Sequence, residues 1–382
     1  MSAQGYPLDL TAADPPLVIA VGSGGVGKTT VAASMGLVSA RAGVDTLVMT
    51  FDPSLRLKDA LGVDQASQEE EVEVPLGDIH PGDAAGTVPA GDGAGTKGQL
   101  FASLLDARRT FDRLVARYAP DDASRDRILT NEYYGHLAGH LGGILEYMAV
   151  ERLYEVSTQG RYDRIILDTP PTAQAIEFLE APSRVVSFLE SGALKIALRP
   201  WFDGKGKLKV ASGMGFLGRG IESFLDRVVG LDLLRDMSEF FLAFEPLFEG
   251  FKDRAFEVER LLGSDKTLFV LVTGPGEGRV GDSLFFARRL REAGYRLGPV
   301  VVNRMHPTYD GPELGGELAE GDQLFRWLGS RHRGGLAELR RRLPGDRVVA
   351  LPLEADEPTD LTALESLGRR LVERLEAAEA EA

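Results

Sequence analysis

Short apolar runs alternate along the chain with longer stretches in which apolar residues recur every three or four positions. The first pattern is that of buried strands and the second that of amphipathic helices. Leu17-Val18-Ile19-Ala20-Val21 predicts a strand, and Val31 to Leu37 lies in the helix after it. Past Gly43, Asp45 to Phe51 predicts a second buried strand, Leu55 to Leu61 a short helix and Val72 to Ile79 a short strand. From Leu100 the pattern turns helical, with Phe101, Leu104, Leu105, Arg108, Phe111, Leu114 and Val115 on one stripe. A second helical stretch runs from about Glu132 to Ser157, before the strand Arg164 to Leu167. Ala173 to Gly263 reads as a long helical region, interrupted at Gly204 to Gly220 by glycines and lysines. Strands at Thr267 to Val272, Gly298 to Val302 and Arg347 to Leu351 follow, with helices at Gly281 to Ala293 and Leu361 to Glu376.

This alternation predicts an α/β fold with a mostly parallel central sheet, flanked by helices on both faces, plus an inserted α-helical region. Residues 1–382 read as one domain, with a flexible insertion near 83–98 and a helical subdomain near 100–158 and 173–263. The insertion is assigned on its Gly, Ala, Asp and Thr content and its lack of apolar periodicity.

Composition narrows the picture. At 382 residues, 43% hydrophobic and 26% charged, the chain matches a globular protein with a sizeable core. Its formal charge of −15 argues against a nucleic-acid partner, which needs a basic face. Local basic clusters such as Arg340-Arg341-Arg342 exist, and Leu336, Leu339 and Leu343 around that one favour the wet side of an amphipathic helix. With 0 cysteines there is no disulfide, thiolate metal site or cysteine nucleophile. Met1 to Pro16 has neither a basic start nor an apolar core, so no signal peptide is expected, and no run is long enough to span a membrane. A cytoplasmic location is the expectation.

The chemistry concentrates at Gly22-Ser23-Gly24-Gly25-Val26-Gly27-Lys28-Thr29-Thr30. Its spacing matches G-x-x-x-x-G-K-[ST] between a strand and a helix, the phosphate-cradling P-loop. Glycines let successive backbone N–H groups approach an anion, and the helix N-terminus adds partial positive charge. Lys28 is expected to reach the β and γ phosphates, and the Thr29 hydroxyl to ligate Mg²⁺. The chain is therefore expected to be a P-loop NTPase.

Other residues fall at the carboxyl ends of strands, where parallel sheets place ligands. Asp52 either orients the attacking water or reaches Mg²⁺ through a water, or else caps the short helix that follows. Asp168 either serves the metal or caps the next helix, with Thr169-Pro170-Pro171 making a stiff loop beyond it. Asn303 either reads an adenine edge or closes a turn. Ile221, Phe224, Leu225, Phe241, Phe244, Phe248 and Phe251 recur at helical spacing, as core residues or as a groove for an apolar client helix.

Taken together and in order, these motifs resemble the arsenical-pump-driving (ArsA-type) ATPase family, relatives of the tail-anchored-protein-targeting ATPases and of MinD-like ATPases. The resemblance runs from about Leu17 to Leu371, through GSGGVGKTT from Gly22, FDPSLRLKDALG from Phe51, DTPPTAQAIEFL from Asp168, FVLVTGP from Phe269, FFARRL from Phe285, VVNR from Val301 and LPLEADEP from Leu351. It implies ATP and Mg²⁺, with Gly22 to Thr30 around the phosphates, Asp52 activating water, Asp168 near the metal, and Asn303 and Pro352 at the adenine. It also implies a dimer, either a homodimer or a heterodimer with a paralogue, and a hydrophobic client helix or a membrane-protein partner. Ser23 stands where the family carries a second lysine, so slow hydrolysis is expected unless Arg56, Lys58 or a paralogue supplies the charge. That leaves two functions open, a Mg²⁺-dependent ATPase whose hydrolysis drives a switch, and a slow nucleotide-gated binding protein or chaperone.

Overall fold

The computed structural model describes residues 5–50, 56–63, 71–77, 98–130, 144–170, 172–190, 247–309, 311 and 319–380. Within them the order is β1 (Leu17–Val21), α1 (Lys28–Arg41), β2 (Thr46–Thr50), α2 (Arg56–Leu61), β3 (Val72–Val74), β4 (Leu100–Leu104), α3 (Ala107–Tyr118), α4 (Asp122–Leu129), α5 (Ile144–Gln159) and β5 (Arg164–Asp168). Then come α6 (Thr172–Leu189), α7 (Phe248–Leu262), β6 (Thr267–Thr273), α8 (Val280–Glu292), β7 (Leu297–Met305), α9 (Ala319–Arg342), β8 (Val348–Pro352) and α10 (Leu361–Ala380).

Eight strands form one sheet in the order β3-β4-β2-β5-β1-β6-β7-β8, and every neighbouring pair is parallel except β3 with β4. β1 and β5 lie at its centre and are buried throughout, which is why Leu17–Val21 and Ile165–Leu167 read as apolar runs without alternation. One face carries Val18, Ala20, Val48, Ile166 and Val270 into a core shared with α1 and with Leu364, Leu367 and Leu371 of α10. Successive strand residues point opposite ways, so Ile19, Leu47 and Phe269, equally buried, face the other side. The helix behind the P-loop fits closely, because a Cβ at Gly36 would overlap the Val48 side chain and one at Gly368 would stand 2.7 Å from the Ser34 carbonyl oxygen.

Several expectations need correction. Leu100 to Leu104 is a strand, not the start of a helix, and α3 begins only at Ala107. Leu100 and Ala102 lie in the main core while Phe101, on the opposite face, packs its ring against Tyr162. A strand buried on both faces has no alternation, and its apolar positions imitated a helical stripe. Val72 to Ile79 shortens to the three-residue β3, and β7 continues through Asn303 to Met305. α4 and most of α9 went unread, the latter because Gly321, Gly329, Gly334 and Gly335 interrupt its pattern. Gly98 belongs to the fold, with a would-be Cβ 2.7 Å from the backbone of Gly43 and Val44. The expected insertion at 83–97, Asp52, and the Gly204 to Gly220 interruption with the phenylalanines up to Phe244 lie outside the described residues.

The chain divides into two compact units, one of residues 1–105, 155–176 and 261–382, the other of 106–154 and 177–260. The first contains the sheet and the P-loop. The described residues of the second are mostly helical, with a core of Phe111, Leu114, Val115, Tyr147, Leu247 and Phe251 among others. Inside it Arg254 donates to the buried Glu151 carboxylate at 2.6 Å, and the Tyr147 hydroxyl, whose pKa burial raises far above its usual value, donates to the Phe251 carbonyl at 3.2 Å.

Candidate nucleotide site

β1 delivers its last apolar residue, Val21, straight into the loop at Gly22. There φ is 149°, and a Cβ would overlap the Val272 carbonyl oxygen of the neighbouring β6, so the tight exit from the sheet requires glycine. Ser23 and Val26 are buried, while Gly24 and Gly25 are exposed. Gly27 adopts left-handed φ 86°, ψ 30° and starts α1 with no side-chain cap and no acidic residue in the first turn. Most helices satisfy their first N–H groups with a Ser, Thr, Asp or Asn side chain. Here those donors and the helix dipole are presented to the loop, an arrangement suited to an anion.

Lys28, 7% exposed, is the first residue of α1, and its ammonium reaches across the loop to donate to the Ser23 carbonyl at 3.0 Å. Asp168, the last residue of β5, registers with Ala20 on one side and Thr50 on the other. The Thr29 hydroxyl donates to its Oδ2 at 2.7 Å and the Thr50 hydroxyl to the same oxygen at 3.0 Å. Thr169 fixes the chain just beyond, donating from its hydroxyl to the Ala20 carbonyl at 2.7 Å. The structure thus joins Lys28, Thr29 and Asp168 at one end of the central strands. It also adds Thr50, which sequence reading missed. Its one signal was a hydroxyl at the carboxyl end of a largely apolar strand.

Asn303 lies inside β7 rather than in a turn, buried, with its amide donating to the Val26 carbonyl at 3.0 Å. Pro352 ends β8 opposite Met305, two positions past Asn303. Arg304, also unread in the sequence, places Nη1 3.4 Å from the Gly25 carbonyl oxygen.

Magnesium takes hard oxygen donors and keeps several waters, relying on one or two protein ligands plus substrate phosphates. The Thr29 hydroxyl and the Asp168 carboxylate, in contact at the foot of the loop, fit that donor set. Among the described residues there is no cluster of three or more His, Cys, Asp or Glu side chains that would instead form an all-protein metal site.

An uncapped helix behind a glycine loop, on the central strand of a parallel sheet, defines a P-loop nucleotide-binding protein. The family model for anion-transporting ATPases matches residues 16–79 and 123–372, and the chain belongs to that family, as its motifs led one to expect. Among curated relatives, the ATPase ARSA1 of Chlamydomonas reinhardtii is 26% identical over 294 residues, 74% of this chain and 34% of the relative. The ATPase GET3 of Kluyveromyces lactis is 26% identical over 228 residues, 56% of this chain and 59% of the relative. An uncharacterized protein of Streptomyces coelicolor is 26% identical over 351 residues, 89% of this chain and 76% of the relative. The matched region therefore spans about a third to three quarters of these relatives. Among the described residues, no helix is long and apolar enough to cross a membrane.

Proposed function

We propose that the protein is a Mg²⁺-dependent ATPase that hydrolyses ATP to ADP and phosphate and uses the reaction to switch conformation within a dimer. The contact between Thr29 and Asp168 carries this reading, since it brings the hydroxyl of the P-loop helix and the carboxylate of β5 to one point. Family membership and the relatives named as ATPases support it.

In this reading the loop amides and Lys28 bind the phosphates, with Lys28 exchanging the Ser23 carbonyl for phosphate oxygens as negative charge arrives. Thr29 and Asp168 would hold Mg²⁺, which supplies charge neutralisation at the γ phosphate. Asp52 orients the attacking water, Asn303 and Pro352 border the adenine, and Thr50 keeps the Asp168 carboxylate aimed at the loop. The partner is a second copy or a paralogue, and a hydrophobic client segment or membrane protein is what the switch serves.

The second reading, a slow nucleotide-gated binding protein, gains from Ser23. Its side chain is buried, and it projects no cation from the position where the family carries a lysine. Phosphate release decides between them. Turnover in Mg²⁺ that is lost in chelator and in Asp168→Asn supports the ATPase. Tight ATP binding with only residual release in Mg²⁺ supports the gated binder. No binding at all overturns both.

A further inference from the structure

Asn303 and Arg304 are consecutive residues of β7, yet both side chains reach the same object. The Asn303 amide donates to the Val26 carbonyl and the Arg304 guanidinium to the Gly25 carbonyl. In a regular strand neighbouring side chains point to opposite faces, so one of the two should aim away from the loop. Two local irregularities lift that restriction. The β7–β8 pairing slips between Val302 and Met305, and Arg304 has φ 61°, the one positive φ outside glycine among the described residues. Bulges of this kind re-aim side chains beside functional sites. A left-handed arginine is strained and persists where surrounding structure enforces it.

What the strain achieves is charge. The loop has a single cation of its own, Lys28, because position 23 is serine. Arg304 Nε also lies 3.8 Å from where a Cβ of Gly27 would stand, so the guanidinium spans the outer rim of the loop from Gly25 to Gly27. Its side chain is 45% exposed, and its carboxylate neighbour, Glu357, stands 3.8 Å away on a far more exposed side chain. A guanidinium carries five N–H donors, enough to hold a loop carbonyl and a ligand oxygen together.

We propose that Arg304 is the second cation of the nucleotide site, a positioning residue delivered by the β7 bulge that steadies the Gly25–Gly27 rim and attracts the phosphate chain. This rests on the nucleotide reading above and adds a residue to it.

The test uses Arg304→Gly, Arg304→Lys and wild type in titrations with ATP and Mg²⁺, with thermal melts of each protein without nucleotide. Glycine relieves the positive φ, so Arg304→Gly should melt at or above the wild-type temperature while its affinity falls roughly tenfold, the loss of one charge-assisted hydrogen bond. Binding should also lose part of its salt dependence, and Arg304→Lys should recover part of the affinity. A merely structural arginine would lower melting temperature and affinity together, and that result overturns the proposal. So does unchanged affinity in Arg304→Gly. Wild-type protein that fails to bind ATP would instead remove the underlying nucleotide reading.

Discussion

Gly27 is where backbone, packing and chemistry meet at a single residue. Its left-handed φ of 86° turns the loop into α1, and a Cβ there would come within 2.5 Å of the Asn303 amide nitrogen. Gly27→Ala is therefore expected to destabilise the fold by about 1–3 kcal/mol, read as a lower urea midpoint with unchanged slope. Wild-type stability in that variant would show that the strand-to-loop contact is loose. The loop itself was legible in the sequence because its instructions are local, nine consecutive residues whose types each have a steric or electrostatic reason. Thr50 and Arg304 were not. Thr50 meets Asp168 only through the register of β2 with β5, and Arg304 faces the loop only through a bulge, and neither leaves a spacing signature.

Among elements, the strands that flank the loop were readable and the irregular ones were not. β1, β2, β5 and β6 are apolar runs bounded by turn residues, and the sequence places each within a residue or two. β4 was misread because burial on both sides erases its period, and α9 because four glycines dilute its stripe. Those glycines have a packing cause in at least one case, since a Cβ at Gly335 would press within 2.7 Å of the Gly276 backbone. α9 also carries the residue most exposed to a pH test. His332 Nδ1 accepts a hydrogen bond from the His306 backbone N–H at 3.1 Å, so that nitrogen must be unprotonated. Burial lowers the His332 pKa, and the neighbouring His306 and Arg331 lower it further. The unfolded chain then takes up this proton first as pH falls through about 6.5, so stability drops below that pH until the folded pKa is passed. Urea midpoints at pH 7.5 and pH 5.5 should differ less in His332→Asn than in wild type. An equal pH dependence in the two proteins would contradict the bond's importance.

For the whole molecule, the sheet order puts the P-loop strand next to the strand ending in Asp168, with every carboxyl end from β4 to β8 on one edge. Ligands of parallel α/β sheets bind at that edge. In the proposed reading the acidic chain, at −15, meets its phosphates with a strand-loop-helix unit and the neighbouring end of β7 rather than with a broad basic surface. A ligand that binds only the folded state adds about 2.7 kcal/mol at a hundred times its dissociation constant, so nucleotide binding should be visible in stability as well as in heat.

The most direct measurement is calorimetric titration of ATP with Mg²⁺ into the wild-type protein and into Lys28→Ala. The account predicts a saturable, stoichiometric heat in the wild type that is weakened by a hundredfold or so in the variant, the loss of a buried charged contact to phosphate. Absence of heat in the wild type, or equal affinity in Lys28→Ala, would contradict it.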